Sequence, residues 1–219
     1  MVLKSIHSLF IFFISMWPVW AQSVSTAQIM ERFSARMLEQ VAAEMHFTFY
    51  GADRQGREIG SLEGIIYRQG ADYAMLNAQV EVYASGDTKW IYTVDNNEAI
   101  IMQHDRASID LVENPLALFS AQLTKEYTLL ERPNSFIEKV QDFVEIGLVP
   151  IANNAPYSSI LLRINSQTLF PHSVKYIAKD GSWYEAEITN YTHRNQPFPP
   201  ERFIFSVEKY PGVYVTDLR

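Results

Sequence analysis

The sequence predicts a mainly β fold in which about 11 antiparallel strands form one curled sheet with helices packed on its hollow side. Three observations carry that expectation. Short β-branched and aromatic runs separated by Gly, Asp and Asn turns occupy most of the chain, one stretch near the start repeats its apolar residues at helical spacing, and one apolar segment opened by Asn-Pro interrupts the strand rhythm. A sheet of so many strands curls or closes, because closure removes edges that would template aggregation. With 219 residues, 47% of them hydrophobic and 13% aromatic, the chain has the apolar surface for one ordinary core.

The first residues read as an export signal. Lys4 is the one charge ahead of an almost wholly apolar run at 6–20, and "VWAQ" puts Val19 and Ala21 where a signal peptidase reads small residues. That run is shorter than the ~20 residues a spanning helix needs. Cleavage after Ala21 is expected, leaving a signal peptide at 1–21 and a single domain at 22–219. Removing Lys4 and no acidic residue takes the formal charge from −7 to −8. The chain has no cysteine, so an exported product lacks disulfide staples and an acylated N-terminal cysteine, and it must be stable through its own core.

The helix is placed at about 25–45. Ser25 and Gln28 have capping-box spacing, and Ile29, Phe33, Met37, Val41 and Met45 then recur at i+4 while Glu31, Arg32, Arg36 and Glu39 take other faces. Strands are expected at 46–50, 60–68, 72–77, 79–84, 89–94 and 98–104, with turns such as "GADRQG", "SGD" and "DNN" between them. In "VENPLALFSAQL", Asn114 can cap and Pro115 suits a first helical position, so a short apolar helix over 115–123 should pack on or into something. Strands resume at 124–130, 143–149, 158–164, 172–178, 183–190 and 202–207.

Charge and motifs narrow the function classes. The scattered acidic surface offers no basic patch for nucleic acid. No nucleophile elbow, His-Glu-x-x-His or phosphate-binding glycine loop occurs, and His46, His104, His172 and His193 lie in separate strands without metal-ligand spacing. The triplet His104–Asp105–Arg106 reads as a solvated turn. Glu185 and Glu187 share a strand face, and with Ala186 and Ile188 opposite they read as a solvent-facing pair. Neither an enzyme nor a cofactor or metal site is expected.

In "SGDTKWIYTVDNNEAII" the alternation leaves open whether Trp90, Tyr92 and the nearby Met102 fill a core or line an open space. Taken in order, however, the features resemble the periplasmic lipoprotein carrier family LolA. Trp90 and Tyr92 match that family's Asp-Gly-Lys-Thr-x-Trp-x-Tyr hairpin, while Gly86, Asp87 and Thr88 fit it loosely. "ENPLALFS" resembles its helical insertion, and "ERFIFSVEKYPGVYVTDLR" its closing Phe-x-Phe, Pro-x-Gly-Val and Asp.

The resemblance implies an unclosed antiparallel barrel with an α-helical lid over a hydrophobic cavity. It also implies a monomeric periplasmic chaperone that takes the acyl chains of lipoproteins from an inner-membrane ABC transporter and delivers them to an outer-membrane acceptor the sequence does not name. The alternative is an envelope sensor or lipid-binding module of the same architecture without a transport role. The lid would present Ile29, Phe33, Met37 and Val41 with Leu116, Leu118 and Phe119. The wall would present Phe47, Phe49, Ile66, Met75, Trp90, Tyr92 and Met102. Arg68, at the strand-end turn before the aromatic Tyr73, would be the basic latch tying lid to barrel.

Overall fold

The computed structural model describes residues 25–106, 127–130, 143–153 and 155–219. The expected insertion helix, with Leu116, Leu118 and Phe119, lies outside the described residues.

Helix α1 spans Thr26–Leu38, and its capping box forms as the sequence implies. The Gln28 amide donates to Ser25 Oγ at 3.2 Å and the Ser25 amide to Gln28 Oε1 at 3.0 Å. The helix is shorter than expected. It stops at Leu38, and the chain enters strand β1 at Ala42. Met45 and Val41 fit the helical i+4 stripe, but Met45, Phe47 and Phe49 equally fit a strand's i+2 row. The strand wins because β1 is paired along its length on both sides.

Strands β1 (Ala42–Ala52), β2 (Glu58–Gln69), β3 (Asp72–Asn77), β4 (Val80–Ser85), β5 (Thr88–Thr93) and β6 (Glu98–Gln103) form an antiparallel meander. Strands β7 (Tyr127–Leu130), β8 (Phe143–Pro150), β9 (Tyr157–Asn165), β10 (Pro171–Ala178) and β11 (Trp183–Arg194) form another. The two are joined by β11 pairing with β1, so the order is β12-β6-β5-β4-β3-β2-β1-β11-β10-β9-β8-β7. Among the described residues the sheet has 12 strands, not about 11, and it is not wholly antiparallel, because β12 (Tyr214–Asp217) runs parallel to β6. The strand expected at 202–207 is replaced by 3-10 turns at Pro200–Phe203 and Val207–Lys209.

One face of the sheet is hollow. Met30, Phe33 and Met37 of α1 pack there in one cluster with Phe47, Ile66, Ile146, Leu148, Ile160 and Leu162. Three register shifts keep this face apolar. Thr189 of β11 is unpaired between Asn190 and Ile188 in the register with β1, so Tyr191 and Ile188 both turn inward although they are three apart. Similar shifts beside Pro171 of β10 and Tyr157 of β9 serve the same end.

The other face is partly covered by the C-terminal segment. Phe198, Phe203, Phe205 and Tyr210 lie across the outer side of the meander from β2 to β6, packing on Tyr67, Tyr83, Tyr92 and Trp90. Among the described residues no helix is long and apolar enough to cross a membrane.

Candidate ligand-binding site

Beside α1, the concave face is unfilled. A cleft of about 530 Å³ lies over β1, β2, β3, β9, β10 and β11, well within the roughly 300–1,000 Å³ of small-molecule sites. Its wall is made by Phe47, Phe49, Leu62, Ile66, Met75 and Tyr184 among others, and Asn77 is its one amide side chain. Met75 and Tyr157 border the same space although β3 and β9 are five strand spacings apart, roughly 24 Å across a flat sheet. Strong curvature is therefore what creates the hollow.

A glycine shapes part of the wall. A Cβ on Gly64 would lie 2.4 Å from Phe47 Cζ and 2.8 Å from the Leu76 carbonyl oxygen, so the bare backbone is what lets the Phe47 ring fold over β2. Farther along, the Phe49 and Tyr184 rings stack with centroids 5.8 Å apart.

Of the wall residues expected from sequence, Phe47, Phe49, Ile66 and Met75 line the cleft. Trp90 and Tyr92 do not. They sit on the outer face, where Tyr92 packs at 5.6 Å from the Phe205 ring and 4.3 Å from the Tyr210 ring. The inner face of β5 carries Lys89, Ile91 and Thr93, and its more apolar face, with Trp90 and Tyr92, is turned outward because the C-terminal segment covers it there. Met102 does face the concave side, opposite Lys89, but on β6, three strands beyond the last strand of the cleft wall.

The lid residues are also placed differently from expectation. Phe33 and Met37 are fully buried and Ile29 packs beside them, yet no residue of α1 lines the cleft. The helix fills one end of the hollow and leaves the other end empty. Val41 lies beyond the helix in the turn to β1 and is exposed. Met45, Leu62, Val174, Tyr176, Ala186 and Ile188 are wall residues that sequence reasoning missed. Leu62 lies two and four residues from Gly64 and Ile66 on one strand, so parity could have found it; the β10 and β11 residues depend on the register shifts.

Arg68 does join helix to sheet. Its Nη2 donates to the Met37 carbonyl at 2.7 Å in a buried contact, satisfying one of the carbonyls that a helix end leaves unpaired. Burial lowers the Arg68 pKa, a shift that the nearby Tyr191 opposes. Tyr191 approaches from the other side, donating to Gln40 Oε1 and lying 3.6 Å from Met37 Sδ. Phe170 stacks on Tyr191 at 4.5 Å, and Arg36 lies over Phe170.

The remaining polar candidates are dispersed. His46 meets Glu44, His172 stacks on Phe143, His193 lies near Phe170, and His104 packs edge-on to Tyr73. Burial lowers the His104 pKa, with Lys89 and Arg106 acting in the same direction. Glu185 is buried, not solvent-facing, because Arg163 and Lys175 flank it at 3.7 and 3.6 Å. Among the described residues no group of His, Asp or Glu could hold a metal ion.

No family model matches the chain, and neither does any curated protein. Among solved structures it is similar to an uncharacterized conserved protein from Thermus thermophilus, at 11% identity over 87% of this chain and 98% of that one, with a TM-score of 0.51. It is also similar to a LolA superfamily protein from Nitrosomonas europaea, at 13% identity over 84% and 99% with a TM-score of 0.45. A DUF1329 family protein from Desulfovibrio piger is similar at 13% identity over 84% and 99%, with a TM-score of 0.47. The Thermus likeness shows a shared fold, and at 11% identity it reaches no further.

Proposed function

We propose that this chain is a periplasmic carrier that takes the acyl chains of lipoproteins released at the inner membrane and delivers them to the outer membrane. The observation that carries this reading is the apolar cleft of about 530 Å³ on the concave face, left open beside a helix that packs the rest of the hollow. The order of sequence motifs supports it. In this reading the segment 1–21 is removed on export, an inner-membrane ABC transporter supplies the cargo, and α1 with Arg68 acts as the latched cover.

A carrier must hold and also release. Each buried methylene is worth about 0.8 kcal/mol, so ten of them would contribute about 8 kcal/mol, near a micromolar dissociation constant. Burying a longer chain completely would make release too slow. A cleft of limited volume caps the acyl surface that can be buried and so keeps affinity in the useful range.

The test is native mass spectrometry of the purified protein together with titration of a fluorescent fatty acid. Co-purified lipid or acylated peptide is expected, and Ala178→Leu/Ala186→Leu, which fills the cleft with its own side chains, should lose both the lipid and the probe. Empty protein that also refuses the probe would overturn the reading, as would a filled variant that binds as the parent does.

A further inference from the structure

Asn77 is the one polar side chain among the described residues of the cleft wall besides tyrosine hydroxyls. It closes β3 half-buried, opposite Gly64 of β2 and on the same inward row as Met75. Its amide is not free to turn. Oδ1 accepts from the Gln79 and Val80 amides, each at 2.8 Å, and rotating the group would set its NH2 against those two N–H donors. The turn into β4 therefore fixes which end of the amide is left over. Nδ2, with two N–H donors, has no hydrogen-bond partner among the described residues. An unused donor on the wall of an apolar hollow is a cost that a bound acceptor removes.

The structure assigns Asn77 Nδ2 as the polar anchor of the cleft, donating to the carbonyl oxygen of an acyl ester or acyl amide whose hydrocarbon tail lies on the apolar wall. This rests on the proposed function, in that the cleft takes an acyl chain, and adds the point at which that chain is gripped. A neutral acceptor suits the site, because Asn77 carries no charge and among the described residues no charged side chain lines the wall. From Asn77 the register row continues through Gly64, Phe47 and Ile188 on β2, β1 and β11. A carbonyl held at the β3 margin thus sends its tail across the sheet over the Phe47 ring. Apolar contact alone lets a tail slide, and one directed hydrogen bond sets where along the cleft the acyl group stops.

The experiment measures methyl laurate, N-methyl lauramide and tridecane by displacement of a neutral fluorescent alkyl probe from the unaltered protein, Asn77→Asp and Asn77→Ala. Aspartate keeps the acceptor that the turn uses and lacks the donor; alanine lacks both and leaves the cleft uncharged. The quantity read is the affinity of each carbonyl ligand relative to tridecane, which cancels any general effect of a variant on the hollow. One hydrogen bond corresponds to about fivefold in affinity, so this ratio should fall by about that factor in both variants while tridecane still displaces the probe. A fall for the ester alone assigns a glyceride ester, a fall for the amide alone assigns an N-acyl group, and a fall for both supports the shared carbonyl. A ratio unchanged in both variants overturns the anchor and leaves the carrier reading standing. A fall in only one variant overturns it too, since the cause is then the added charge or the lost turn. Failure of the probe and all three ligands to bind the unaltered protein overturns the anchor and the carrier reading together.

Discussion

Gly64 and Glu185 illustrate how single residues acquire meaning from their neighbours. Gly64 reads in the sequence as a weak spot in a strand, but its missing Cβ admits the Phe47 ring that walls the cleft. Gly64→Ala should therefore cost about 1–3 kcal/mol, because the ring and the Leu76 carbonyl both stand in the way of the added methyl. Urea unfolding measures this, and an unchanged midpoint would show that the Phe47 ring is free to move aside. Glu185 reads as exposed from the alternation of its strand, which says which face a residue takes and not what covers that face. Arg163 and Lys175, from two neighbouring strands, bury it.

At the level of elements, α1 is legible at its start and not at its end. The capping box is local, so four residues of sequence suffice to place it. The end is a contest between helix and strand at 39–45, settled by partners far along the chain in β2 and β11. The element also divides the hollow into a filled and an unfilled part. Phe33, fully buried on the sheet-facing side of the helix, should cost about 3–5 kcal/mol when changed to Ala, whereas Phe49→Ala, which only enlarges an existing space, should cost distinctly less. Thermal unfolding of the two variants side by side checks this. Equal losses would mean that the cleft is closed over Phe49 in solution.

For the whole molecule, the decisive feature is that the meander from β2 to β6 has apolar residues on both faces. Its outer face carries Trp90, Tyr92 and Tyr83 under the C-terminal segment, and there Tyr83 and Tyr210 both donate to Glu81. Burial, with the bond to Glu81 reinforcing it, pushes the Tyr210 hydroxyl up to about 12 from its usual 10.0, and burial with the Tyr210 and Glu81 bonds raises Tyr83 as well. A raised folded value means that the neutral hydroxyl is favoured in the native state. Its contribution is complete below pH 10 and is lost as pH rises through about 12. Stability should accordingly fall across that alkaline window, and Tyr210→Phe should flatten the fall. A titration in which parent and variant decline in parallel would remove Tyr210 from the account.

By itself the sequence determined a mainly β chain, a capped N-terminal helix, the approximate position of most strands and a set of apolar residues, because turn chemistry, capping and side-chain period are local properties. Only the tertiary structure decided which apolar residues border empty space. That depends on three register shifts, on the curvature that brings β3 toward β9, and on a C-terminal segment that claims Trp90 and Tyr92 for the opposite face. Each arises from contact between residues distant in the chain, and period-2 alternation is the same whether the surface it faces is packed or vacant.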